Sequence, residues 1–444
     1  MTLKVIETFS GIGAQAKALS RLKKSNPTFD YEIVSTVEWE IGASYAYDVI
    51  HNGDQNLEEY DHLSKEELIN MLSELNLSSD GKKPLTFTAL KRMPLDQLKA
   101  IKHSIDRNNN LVDISLVTAT DLPDADLLTY SFPCQDLSIG SFWHGNFSGI
   151  NKGANNRSSL LWEIERILNE YHVSNKKKPQ FLLMENVTAI NSPQHEDNFN
   201  AWKTQLEKLG YLNYVYDLNA TNFNIPQNRN RTFMISIYSE DLTPSLIKLS
   251  QLYLNLLGLK KDLSLLDMSN FLRLDYSNDT YFKEALESIP NYTPSRMRIH
   301  DKAVILAEGN LIKNDIAKTI TTKQDRHPTS GLIEHHIEGL DPQKAPYRNL
   351  TPRETFLLMG FDEQDFDNLM RNNFNITNKK KFLSHSKLLV LSGNSIVVNV
   401  LEAIFEKIHL LNNLFQSKIT PECLIKDLSS YRLNNYHLFK SSLK

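Results

Sequence analysis

Residues 126–135 read DLLTYSFPCQ, and this stretch decides the fold. An unbroken apolar run closed by Pro133 describes a strand buried on both faces, because proline removes a backbone donor and ends strand pairing. Cys134 then stands at the carboxyl end of that strand, where a parallel α/β sheet presents its chemistry. Only two cysteines occur in the 444 residues. A cysteine so placed reads as a nucleophile or as a small core hydrophobe, and the tripeptide Pro133-Cys134-Gln135 does not by itself decide which.

Working outward, similar apolar runs fall at 3–9, 32–38, 181–185 and 232–238. Between them Leu160, Leu161, Ile164, Ile167, Leu168 and Tyr171 recur at the spacing of an amphipathic helix. Trp202, Leu206 and Leu209 do the same, with Gly210 placed to end the helix. Strands alternating with helices predict an α/β, doubly wound, mostly parallel sheet. The expected organisation is a first domain over 1–242, a second, smaller irregular or β-rich domain over 243–345, and a return segment over 346–410 that completes the first. A polar, lysine-rich stretch at 51–110 reads as a surface insertion, with Ser64 and Glu67 forming a capping box. The tail over 411–444 receives no role.

Composition bounds the function without choosing it. Apolar residues make up 41% and charged residues 23% of the chain, with a formal net charge of −4, which argues against a generally basic coating. One basic cleft would still serve a polynucleotide. No run of eighteen apolar residues and no signal-peptide pattern is read, so no membrane span is expected. Cys134 and Cys423 lie far apart without framework spacing, which predicts a reducing interior and no metal site.

Several segments carry chemistry. Phe9-Ser10-Gly11-Ile12-Gly13 follows the first strand, and its glycines allow a tight turn and close approach of backbone to ligand. A plain strand-to-helix turn fits equally, and the pattern is not GxGxxG, so a nicotinamide-dependent oxidoreductase is excluded. The second strand ends in Glu38-Trp39. An acid at that tip suits ribose hydroxyls and the indole suits a purine face, although a partly buried core tryptophan reads the same way. Glu185 closes the run FLLME, either capping the next helix or pointing into a site. Gln227-Asn228-Arg229-Asn230-Arg231 leads into the last strand, with two arginines facing one way, toward phosphate or along a solvated edge. Gly140, Gly145, Gly149 and Gly153 between Asp136 and Arg157 suit a lid, placed as they are directly after the cysteine. In TTKQDRH at 321–327, Lys323, Gln324, Arg326 and His327 suit base edges, or simply a solvated loop.

Taken in order, FSGIG, EW, DIS with LPDADLL, FPCQ, RSSLLWE, ENV, QNRNR, TPRETFLLMGF and GNSIVVNVLEAI resemble the C5 cytosine-specific DNA methyltransferases of bacterial restriction-modification type. DLLTYSFPCQDLS and LLWEIERIL are particularly similar to the CpG-type enzymes of mollicutes. RSSLL carries serines where the family often has Gly-Thr, a mild departure near the cofactor.

The resemblance implies an S-adenosyl-L-methionine (AdoMet) dependent, Rossmann-like catalytic domain with a target-recognition domain. It implies a target cytosine flipped out of double-stranded DNA at a short cytosine-bearing site. Cys134 would add to C6, Glu185 would hold the N3 and N4 edge, Arg231 would contact O2 and a phosphate, and Arg229 would support the cysteine loop. The cofactor would lie against Phe9, Ser10, Gly11, Ile12 and Gly13, with Glu38 on the ribose and Trp39 on adenine. Asp113 and Ile114 would read the adenine edge, and Pro133, Leu160, Asn394, Ser395 and Ile396 would close the site. DNA contacts are expected from Gln135, Ser138, Arg157, Gln227, Lys323, Gln324, Arg326 and His327. A monomer in a bacterial cytoplasm, associated with the nucleoid, is expected, and any cognate restriction endonuclease would be a separate chain. The rival readings are a tRNA cytosine-5 methyltransferase and a non-catalytic DNA-binding regulator on the same scaffold.

Overall fold

The five apolar runs lie side by side in one sheet. In the computed structural model, which describes residues 2–134, 137, 150, 158–258, 267–378 and 380–416, they form β1 (Leu3–Thr8), β2 (Tyr31–Val37), β3 (Leu127–Tyr130), β4 (Phe181–Val187) and β7 (Asn230–Tyr238). A sixth strand, β5 (Tyr211–Asn219), lies at one edge, and the order is β2-β1-β3-β4-β7-β5. The first four are parallel, while β7 runs antiparallel to both β4 and β5. β5 escaped the sequence reading because YLNYVYDLN is only partly buried along most of its length and so lacks a continuous apolar signal.

Alternation along each strand feeds two hydrophobic layers. Phe181 and Leu183 of β4 face a core shared with α1 (Ala14–Ser25), α2 (Ile41–Asn52) and α14 (Val398–Phe415). Leu182 and Met184 face the opposite layer, covered by α6 (Leu161–Val173) and α7 (Glu196–Lys208). Ile164, Ile167, Leu168 and Tyr171 are all buried, as their spacing predicts. The stretch His385–Phe415 is long and apolar enough to cross a bilayer by composition, but 67% of its most apolar window is buried in the protein. α14 packs there on α1, as a core helix.

The 51–110 stretch is not a surface decoration. It folds into α3 (Lys65–Ser73), α4 (Phe87–Lys91) and α5 (Leu95–Arg107), and Leu68, Leu72, Leu90, Leu98 and Ile101 join the main core. The polar composition belongs to the outer faces of amphipathic helices. Ser64 and Glu67 do form the capping box. Asp48 of α2, fully buried, accepts hydrogen bonds from Arg107 Nε at 2.6 Å and Nη2 at 2.8 Å, which ties α5 to the sheet layer.

Among the described residues of 244–349 are three short α-helices, α8 (Pro244–Leu254), α9 (Asp279–Glu287) and α10 (Pro294–His300). They accompany a sheet ordered β12-β11-β8-β9, built from β8 (Ile305–Glu308), β9 (Leu311–Ile312), β11 (Leu332–Glu334) and β12 (Tyr347–Asn349). A separate strand, β10 (Ala317–Lys318), pairs with β6 (Gln227–Asn228) beside the main sheet. The chain then returns through α11 (Pro352–Leu357), α12 (Glu363–Asn372) and α13 (His385–Asn394).

The return is anchored by Arg348 of β12 and Glu354 of α11, both without solvent exposure. Their two hydrogen bonds, at 2.7 and 2.8 Å, make a bidentate pair. Glu354 also accepts from Thr351 N at 2.8 Å, completing a capping box. Removing one partner strands the other charge in the interior, so Glu354→Ala should cost about 3–5 kcal/mol of stability. Urea denaturation checks this, and an unshifted midpoint would contradict it.

Candidate active site

Parallel register sets the site. Thr8 pairs with Val37 and with Tyr130, and Tyr130 pairs with Met184. The next residues along each strand, Phe9, Glu38, Ser131 and Glu185, therefore emerge along one rim of the sheet. β7 is antiparallel and starts at that rim, with Arg231 opposite Val187. These ends surround a cavity of about 660 Å³, within the usual range for a small-molecule site.

The glycine turn is shaped by what stands behind it. Gly13 has φ +77°, and a Cβ there would sit 2.2 Å from His51 Nε2. His51, which burial pushes down to about 4, is neutral and donates from Nε2 to Ile12 O at 3.0 Å. Gly13 thus holds the turn from behind and does not line the cavity, contrary to its expected place on the cofactor. Phe9, Ser10, Gly11 and Ile12 do line it.

Glu38 is tied to this turn. Its Oε2 accepts from Gly11 N at 3.0 Å and its Oε1 from Glu40 N at 2.8 Å. Burial nevertheless raises its pKa to about 7, and neighbouring Glu40 adds to the rise. Trp39 lines the cavity beside it. The amide of Asn110 clasps the strand tip, accepting from Glu38 N and Val112 N and donating to Glu38 O. Val112 is held at φ +64°, a rare conformation for a β-branched residue. Asp113 and Ile114 come directly after it, and both line the cavity.

The cysteine loop is held from several sides. Asn186 Nδ2 donates to Phe132 O at 3.0 Å, and Ser158 Oγ donates to Pro133 O at 2.7 Å. Leu137 N donates to Cys134 O at 3.0 Å. Cys134 is partly buried, and burial pushes its thiol up, opposed by Arg231 and Arg229 and reinforced by Glu185. Glu185 Oε1 lies 3.4 Å from Arg231 Nε. Burial raises the Glu185 carboxyl as well, with both arginines opposing it. Cys134, Glu185, Arg229 and Arg231 open onto the same cavity as Glu38 and Asp113, together with Pro133, Leu160, Asn394, Ser395 and Ile396.

The remaining expectations divide. Among the described residues Arg229 makes no hydrogen bond to the cysteine loop, although its charge favours the Cys134 thiolate. Its guanidinium donates to Ile320 O at 2.9 Å, Ser395 O at 2.7 Å and Gly393 O at 3.3 Å, joining the second module to the return segment. Gln227 is fully buried and unavailable to DNA: its amide donates to Leu358 O at 2.8 Å and accepts from Ile320 N at 2.9 Å. Gln324 is also buried, with Nε2 donating to Thr321 O at 3.2 Å, so it does not present an edge to a base in this conformation. Lys323, Arg326 and His327 are all exposed. Gln135, Ser138, Arg157 and Cys423 lie outside the described residues, as does the rest of the glycine-bearing 136–157 segment apart from Leu137 and Ile150.

The sequence reading missed other cavity residues: Asn76, Asp80, Gly81 and Lys82 from the insertion, and Lys387, Val390 and Leu391 from α13. No spacing signals them, because tertiary packing alone brings them to the rim. Asn186 lay within the quoted ENV step, and its polar amide at the end of an apolar strand was the available signal.

Comparison with known proteins agrees with this arrangement. The family model described as C-5 cytosine-specific DNA methylase matches residues 96–410. The chain is 36% identical over 416 residues to the orphan methyltransferase M.SssI of Spiroplasma monobiae, covering 91% of this chain and 97% of that one. It is 34% identical over 412 residues to the type II methyltransferase M2.ScrFI of Lactococcus lactis subsp. cremoris, covering 91% and 99%. Among solved structures, the S. pombe Dnmt2 methyltransferase shares the fold, with a TM-score of 0.55 at 17% identity, over 93% of this chain and 100% of that one. The chain belongs to the C-5 cytosine-specific DNA methylase family and is a DNA cytosine-5 methyltransferase.

Proposed function

We propose that this enzyme uses AdoMet to methylate C5 of a cytosine flipped out of duplex DNA at a short specific site, as the modification partner of a restriction system in a bacterial cytoplasm. The observation that carries the reading is one cavity holding both a nucleoside-type half, Glu38, Trp39 and Asp113, and a nucleophilic half, Cys134, Glu185 and Arg231. The donor set fits AdoMet: carboxylates for ribose hydroxyls and an adenine amine, an indole for the purine face, and the glycine turn for the amino-acid end. When bound, AdoMet supplies an electrophilic methyl group on a sulfonium.

The protein's own residues prepare cytosine to receive it. The Cys134 thiolate adds to C6, which gives C5 carbanion character. Glu185, whose burial favours the protonated form, donates to N3 and accepts from the N4 amine, stabilising the adduct. Arg231 stands against Glu185, and its charge favours the thiolate. After methyl transfer to C5, loss of the C5 proton to a base drives out the Cys134 thiolate and restores the ring. The helix-and-sheet module over 244–349 supports DNA as the substrate, since sequence-specific methylation requires a dedicated reader.

Transfer of labelled methyl from AdoMet to duplex DNA and, separately, to tRNA tests the reading, with bisulfite sequencing of the product. Label on DNA at one repeated short motif is expected. Label on tRNA alone would overturn the DNA assignment, and no label on either would favour a regulator.

Cys134→Ser should abolish transfer while leaving DNA binding intact. Glu185→Gln should lower kcat by about 10²–10⁴. Near-normal turnover in either variant would remove that residue from the chemistry.

Because burial raises the Cys134 thiol, inactivation of the free enzyme by iodoacetamide should rise through an inflection above the ordinary thiol value of about 8.5. Arg231→Met should move it higher still, because a cation that favours the thiolate is lost. An inflection below the ordinary value would contradict both statements.

A further inference from the structure

The 51–110 stretch contributes a wall to the cavity that the methyl-transfer chemistry leaves unused. Its segment around Asn76 and Ser78 is stitched to the tip of β2. Ser78 N donates to Trp39 O at 2.8 Å, and Ile41 N donates to Ser78 O at 2.9 Å, so Glu38 and Trp39 are held from the insertion side. Lys387 of α13 closes the same wall, with Nζ donating to Ser79 O at 2.9 Å and pairing with Glu40 Oε1 at 2.9 Å.

The side-chain contact is more pointed. Asn76 Nδ2 donates to Asp113 Oδ2, while Asp113 Oδ1 accepts from Ser115 N at 2.9 Å and Ser115 Oγ at 2.8 Å. Asn76 lies at φ +50°, in the left-handed region that asparagine tolerates, and this conformation turns its amide onto the carboxylate. A carboxylate oxygen accepts two hydrogen bonds. With Oδ1 saturated by Ser115 and one lone pair of Oδ2 taken by Asn76, Asp113 keeps one acceptor position, on Oδ2. Both residues line the cavity.

We propose that Asn76 is a positioning residue that aims the last acceptor site of Asp113 at the exocyclic amine of the cofactor's adenine, making the insertion part of the nucleobase site. This rests on the AdoMet reading above. Asn76 then governs discrimination between a 6-amino and a 6-oxo purine, and it acts only through Asp113.

The test is calorimetric binding of S-adenosylhomocysteine and of S-inosylhomocysteine, which carries a carbonyl in place of the amine. The proteins are wild type, Asn76→Gly, Asp113→Ala and the double variant, with Asn76→Asp as an isosteric second probe. Glycine and aspartate both tolerate the left-handed backbone, so the loop keeps its path. Asn76→Gly should weaken the adenosyl ligand about 10-fold, the scale of one hydrogen bond to a charged group, and leave the inosyl ligand unchanged. Asn76→Asp should lose at least as much, because two carboxylates then face each other, and Asn76→Gly should add nothing once Asp113 is alanine. Equal weakening of both ligands, or undiminished discrimination, would overturn the proposal while leaving the cofactor reading intact. Failure of the wild type to bind S-adenosylhomocysteine would overturn both.

Discussion

The guanidinium of Arg229 reaches three backbone carbonyls that lie far along the chain from it, Ile320, Gly393 and Ser395. The chain leaves the catalytic sheet after β7, builds a second module and returns to finish the first, and this buried fork closes that circuit. Gln227 adds a second stitch two residues away, and β6 pairs with β10 beside it. Gly393 shows how closely the parts meet, since a Cβ there would lie 2.5 Å from the Thr321 backbone. The segment that carries Lys323, Arg326 and His327 is therefore seated on residues that line the cavity. The second module and the cavity wall meet at one buried joint.

Burial also sets the resting state of the site. Desolvation raises Cys134 and Glu185 together, shifting each toward its protonated form. Both groups sit beside Arg231, whose charge favours their ionised forms. A thiol held back in this way is protected from adventitious alkylation and oxidation. Glu38 is likewise raised, to about 7, although two backbone N–H groups donate to it. A bound ligand that supplies further donors to that carboxyl favours its charged form, so ligand binding and protonation are linked there.

Uncommon backbone conformations gather at the same places. Phe9, Asn76 and Val112 all have positive φ, and each lines the cavity. Asn110 offsets part of this strain by holding the β2 tip and Val112 with one amide. The insertion contributes Asn76 and the Ser78 backbone bridge to the same region, and so belongs to the architecture of the site rather than to the periphery.

The sequence by itself determined the α/β class, five of the six sheet strands and the positions of Cys134, Glu185, Glu38 and Arg231 at strand ends. It could do so because buried parallel strands are continuous apolar runs, and chemistry collects where those runs stop. Three things were decided only by tertiary structure. β5 is a partly buried edge strand without a clear period, and the insertion hides apolar stripes beneath lysine-rich outer faces. Arg229, Gln227 and Gln324 are polar residues that any reading of types and spacing assigns to a ligand. Packing turns Arg229 and Gln227 inward, because the carbonyls and N–H groups they satisfy come from segments up to 166 residues distant, and no local pattern carries that information. Gln324 is buried by its surroundings, while its amide bonds to nearby Thr321.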